Sequence, residues 1–194
     1  MNNVFISAMA SLAVFAVGAA PVPAMAESFD ASTIACERIA AAYRTKTETD
    51  MSFINGILNW MGGYHATEAQ GTVVDWAKLS KAFDETIAFC AGHPNVGVMS
   101  ASERFMGETI EEASETAVDL AIITCEKLLT EKQLIDNAGD TFMWLAGFHT
   151  STNKDTKTLD LDKFVTQMTE IANYCAENPK VGLVTASAKF MGDE

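Results

Sequence analysis

The sequence predicts an all-α protein: two tandem four-helix modules, each closed by one internal disulfide. Three observations predict it. First, eighteen residues from Cys90 to Gly107 (CAGHPNVGVMSASERFMG) return without a gap at Cys175 to Gly192 (CAENPKVGLVTASAKFMG), identical at ten positions. Second, apolar residues recur at steps of three and four, the period of a helix with one buried face, and nothing reads as a convincing strand. Third, the four cysteines fall two to a copy.

The repeat extends backwards from its best-matched stretch. Trp60-Met61-Gly62-Gly63-Tyr64-His65 matches Trp144-Leu145-Ala146-Gly147-Phe148-His149, and Cys36-Glu37-Arg38-Ile39 matches Cys125-Glu126-Lys127-Leu128. The expected organisation is a signal peptide over 1–26, a first module over 30–107, a linker over 108–116 and a second module over 117–194.

Residues 1–26 carry no charged side chain. Val4 to Ala20 is an apolar run, Pro21 and Pro23 break it, and Ala24-Met25-Ala26 supplies a small-x-small cleavage pattern. The expectation is export with cleavage after Ala26. A retained membrane anchor is the alternative, but the run is short for a span and is followed by paired prolines.

In the first module, Asp30 to Tyr43 is a helix candidate and Thr45 to Asp50 a polar loop. Phe53 to Tyr64 is a second helix, and His65 to Thr72 a loop. Asp75 is the expected N-cap of a third helix through Cys90. Pro94 is expected to start a last helix through Phe105, with Gly107 just past its end. Thr109 to Glu115 contains no Pro or Gly and predicts a helical linker running into a helix over about Thr116 to Leu129. The second copy then follows the same order, with helices over Phe142 to Phe148, Asp160 to Cys175 and Lys180 to Phe190.

Small exported domains often add a covalent staple to a modest core. Four cysteines allow three pairings, and the repeat selects Cys36–Cys90 and Cys125–Cys175. Closing a loop of about 50 residues stabilises each module by roughly 4 kcal/mol in the chain-entropy model. A four-cysteine metal site does not suit the spacing, because no two cysteines are close in sequence.

The net charge is −13, from 26 acids and 13 bases. That argues against a nucleic acid or an anionic membrane as partner. In strong acid the carboxylates are protonated, and 13 Lys and Arg with 3 His leave a charge of about +16.

Trp60 with Tyr64, and Trp144 with Phe148, lie four apart on one helix face. They are core residues or an interface and client-binding patch. His65 and His149 take equivalent places after an aromatic residue and read as boundary histidines, with a ligand or base role as the functional alternative. Asp84, Glu85 and Glu170 are expected to be solvated. The chain holds no GxSxG, HExxH, P-loop, CxxC or GxGxxG motif, so no catalytic, cofactor or metal residue is expected.

Thr124-Cys125-Glu126-Lys127-Leu128-Leu129, then Trp144, then Asp160 opening a helix, then Tyr174-Cys175-Ala176-Glu177-Asn178-Pro179 resembles the HdeA/HdeB family of small exported helical proteins. The first copy carries the same landmarks. The resemblance implies a periplasmic, ATP-independent acid-stress chaperone that uses no cofactor and exposes apolar surface in strong acid to hold unfolding clients. The chain differs in carrying two modules, which are expected to pack as an internal pseudo-dimer near the Trp60 and Trp144 faces. The alternative function is a periplasmic protein-binding module active at neutral pH.

Overall fold

The computed structural model describes residues 28–66, 70–107, 114–115, 117–152 and 157–192. The expected signal peptide lies outside these, as does nearly all of the expected linker. The fold is mostly helical. In the first half, strand β1 (Phe29–Asp30) and a 3-10 turn (Ala31–Thr33) precede helices α1 (Cys36–Thr45) and α2 (Glu48–Tyr64). Strand β2 (Val73–Val74), α3 (Trp76–Gly92) and α4 (Val98–Met106) follow. The second half repeats the order: β3 (Val118–Asp119), a 3-10 turn (Leu120–Ile122), α5 (Cys125–Thr130), α6 (Lys132–Asp136), α7 (Ala138–Thr152), β4 (Thr158–Leu159), α8 (Leu161–Glu177) and α9 (Leu183–Met191).

Local chemistry sets most of the helix starts. Thr47, Asp75, Thr124 and Asp160 each accept a hydrogen bond from a backbone N–H of the first turn, satisfying a donor that has no partner inside the helix. Gly97 and Gly182 precede α4 and α9 in extended conformation, and Gly107 and Gly192 end them.

Several boundaries differ from those the sequence suggests. The first helix of each half starts at the cysteine, not six or more residues earlier. Asp30 and Asp119 cap 3-10 turns instead. The residues that follow are drawn into tertiary pairing, with Ala35 bridging Gly97 and Thr124 bridging Gly182. A helix running from Thr116 is therefore replaced by a strand, a 3-10 turn and a short helix, and Ser114 and Glu115 are not helical. The Thr45 to Asp50 loop is shorter than expected, because α2 already begins at Glu48. α4 and α9 begin after the Pro94 and Pro179 turns, at Val98 and Leu183. The second half breaks its first long helix at Glu131, whose extended backbone separates α5 from α6.

The strands that the sequence concealed are two residues long and are exchanged between the halves. β1 pairs antiparallel with β4. β2 pairs antiparallel with β3. Each half thus sends its N-terminal arm to a loop of the other. Side chains reinforce the β2–β3 clasp, where Thr72 Oγ1 donates to Asp119 Oδ1 at 2.7 Å.

Cys36–Cys90 and Cys125–Cys175 are disulfide-bonded, with sequence separations of 54 and 50. Each joins the first helix of a half, α1 or α5, to the C-terminal part of a 17-residue helix, α3 or α8. All four cysteines are fully buried within one continuous apolar core that runs through both halves.

Candidate functional site

The largest helix–helix contact joins the halves, α2 against α7. The sequence makes that approach possible at two glycines. A Cβ on Gly63 would stand 1.8 Å from the Trp144 carbonyl oxygen, and one on Gly147 would stand 1.9 Å from the Trp60 carbonyl oxygen. The two backbones touch where these glycines cross, and the reciprocal contacts mark a pseudo-twofold axis. The repeated Trp-x-x-Gly-aromatic-His pattern was visible in the sequence, but its glycine signals a close approach that only the paired halves reveal.

Trp60 and Trp144, on either side of this crossing, are fully buried. Each stacks on the aromatic residue one turn on: Trp60 on Tyr64 with ring centroids 5.1 Å apart, Trp144 on Phe148 at 5.3 Å. The four aromatic residues singled out as an interface or client-binding patch thus lie on the two helices that cross between the halves, with both tryptophans buried. The indole Nε1 of Trp60 has no hydrogen-bond partner among the described residues.

The pseudo-twofold is broken one turn away. Asn59 Nδ2 donates to Asp140 Oδ1 across the interface at 2.9 Å. The equivalent pair on the other side of the axis is Met143 against Gly56, where an added Cβ would meet Met143 Cε at 3.6 Å. One side of the seam is polar, the other apolar. Partial burial holds the Asp140 carboxyl above the ordinary carboxylate range, although the residue as a whole lies at the surface.

The two histidines brace the halves internally. His65 Nε2 lies 3.0 Å from Ser102 Oγ, and His149 Nε2 lies 2.9 Å from Ser187 Oγ. Each serine hydroxyl donates to a carbonyl three residues back, Met99 or Val184. The serine hydrogen is thus committed, and the imidazole Nε2–H is the donor in each pair. The pairs tether α2 to α4 and α7 to α9; neither is arranged as a nucleophile activated by a base. Burial lowers the His65 imidazole below its ordinary value, with Glu103 opposing and Lys157 of the other half adding to the shift.

A second carboxylate sits at the join. Asp75, 2% exposed, caps α3 by accepting from Lys78 N at 3.1 Å. It also accepts from Ser114 N at 2.8 Å, so it holds the start of the second half against the first. Burial pushes its carboxyl up, but the hydrogen bonds from Ser114 and Lys78 outweigh this and the net shift is downward. Its counterpart Asp160 is exposed. The capping role of Asp75 was readable from sequence; its second acceptor role was not, since nothing local pairs residues 75 and 114. Asp84, Glu85 and Glu170 are exposed.

Among the described residues, no group of three or more His, Cys, Asp or Glu side chains is placed to hold a metal ion. Likewise, no helix there is long and apolar enough to cross a membrane. The family model of the HdeA/HdeB family matches the chain twice, over residues 4–100 and 101–185. No curated protein and no solved structure matches it.

Proposed function

The chain belongs to the HdeA/HdeB family, and from that premise we propose that it is an exported, ATP-independent holdase that opens in strong acid to keep unfolding periplasmic proteins soluble. One observation carries the reading: Trp60 and Trp144, the largest fully buried side chains, lie on α2 and α7, the two helices that cross between the halves. Separating the halves would expose client-binding surface without unfolding either staple-closed half.

Acid supplies the driving force. A carboxylate with a depressed folded pKa, such as Asp75, contributes stability that is lost as pH falls through that pKa. The charge meanwhile moves from −13 towards about +16, which adds self-repulsion. The disulfides limit how far each half can then expand.

The test is aggregation of an acid-labile client at pH 2 and at pH 7, with and without the mature chain, disulfides intact. Suppression at pH 2 alone is expected. Absence of suppression at pH 2 would overturn the reading and favour a binding module that acts at neutral pH.

A further inference from the structure

The two strand clasps that join the halves are related by the repeat but are not equal. Across β2–β3, Leu120 N donates to the Thr72 carbonyl at 3.0 Å. Two side chains add to it: Thr72 Oγ1 donates to Asp119 Oδ1 at 2.7 Å, and Asp75 Oδ2 accepts from Ser114 N at 2.8 Å. Across β1–β4 the matching backbone bond is present, from Ala31 N to the Lys157 carbonyl at 2.7 Å. The places of Thr72 and Asp119 are taken there by Lys157 and Asp30. Asp30 Oδ1 accepts only within its own turn, from Ser32 N at 2.8 Å and Ser32 Oγ at 2.6 Å. Asp119 makes the equivalent local bond, from Ala121 N at 2.9 Å, in addition to the crossing one. Among the described residues, no side-chain hydrogen bond or ion pair crosses β1–β4. Lys157 and Thr158 are exposed, whereas Thr72 and Val73 are half-buried and Asp75 is buried.

We propose that the halves part in a fixed order: β1–β4 releases first, and β2–β3 holds as the pivot on which the chain opens. Segments whose backbone bonds lie at the surface open at lower free energy than those under cover. The β2–β3 clasp also has two crossing bonds more, each worth roughly fivefold in an equilibrium constant. Release of β1 frees the start of the first half from the loop that follows α7, while Asp75 still holds the start of the second half. The opened molecule keeps both halves on one pivot, as in a hinged domain pair. Re-closure is then a first-order step whatever the concentration of the chain. That opening serves client capture rests on the holdase reading; the order of release does not.

Native-state amide hydrogen exchange at pH 7 tests the order on the mature chain with disulfides intact. The Ala31 and Leu120 N–H groups are equivalent donors, one in each clasp. After correction for intrinsic exchange rates, Leu120 should be protected about tenfold or more above Ala31. Thr72→Val removes the hydroxyl that crosses to Asp119 at little change in shape. It should lower Leu120 protection by about fivefold and leave that of Ala31 unchanged. Equal protection of the two amides in the parent chain, or stronger protection of Ala31, overturns the proposal, as does unchanged Leu120 protection in Thr72→Val. Should the variant fail to fold, the comparison within the parent chain decides. Ordered exchange without suppression of client aggregation at pH 2 would remove the acid-holdase function alone, whereas suppression with equal protection would remove the ordered release alone.

Discussion

Substituting alanine for Gly63 tests whether the α2–α7 crossing holds the halves together. The new Cβ would stand 1.8 Å from the Trp144 carbonyl oxygen and 2.8 Å from the Phe148 nitrogen, where real contacts essentially never fall below 3.0 Å. Both obstacles are backbone, so α7 must retreat bodily by about 1.2 Å at that point. A gap of about 0.5–1 Å already forfeits a quarter to a half of each dispersion contact it interrupts, and overpacking by one methyl alone costs roughly 1–3 kcal/mol. Together these predict a loss of about 3 kcal/mol or more in the closure of the halves, over a hundredfold in the closed-to-open ratio. Urea unfolding followed by tryptophan fluorescence should show a lower midpoint, and an apolar dye should bind at pH 7 where the parent binds little. Gly62→Ala is the control. Its nearest neighbours would be Leu79 side-chain atoms, Cδ1 at 2.6 Å and Cδ2 at 3.2 Å, the end of a flexible side chain, and the second half already carries Ala146 there. An unchanged midpoint in Gly63→Ala, or equal damage in Gly62→Ala, would refute the reasoning.

Asp75→Ala leaves the Ser114 and Lys78 N–H groups without their acceptor and should cost about 1–3 kcal/mol at pH 7. Because the folded carboxyl titrates below its ordinary value of 3.8, that difference should shrink as pH drops below about 4, read from urea midpoints along a pH series. Asp140 has the opposite sign: its raised pKa means the charged form burdens the folded state above that pKa and the burden lifts as pH falls. Asp140→Asn should therefore raise the urea midpoint at pH 7 and leave it unchanged at pH 3. Reduction of both disulfides should remove roughly 4 kcal/mol from each half and abolish the cooperative thermal transition at neutral pH.

Much of this architecture was legible in the repeat. Helical spacing gave the class, and the paired landmarks matched Cys36 to Cys90 and Cys125 to Cys175. What escaped were features whose cause lies in the other half. A two-residue strand such as Val73–Val74 has no periodicity to detect; it exists because Val118–Asp119 arrives beside it. The helix expected from Asp30 yields to a 3-10 turn and an extended Ala35, whose partner Gly97 is distant in sequence. Gly63 and Gly147 stood in the repeated motif, but glycine inside a helix suggests only weakness until a second backbone is found against it.

The polar and apolar sides of the α2–α7 seam bear on which surfaces recognise each other. In a pair of identical chains every contact occurs twice, so each face must complement itself. Two copies of the first half would set each Asn59 amide against a Gly56 that offers no side-chain acceptor, and two copies of the second would press each Asp140 carboxylate against a Met143 thioether. Only the mixed pairing gives the amide a carboxylate and the methionine a glycine. Duplication within one polypeptide has therefore released the two faces from self-complementarity. It lets the chain encode preference for a first half against a second half over either half against its own copy.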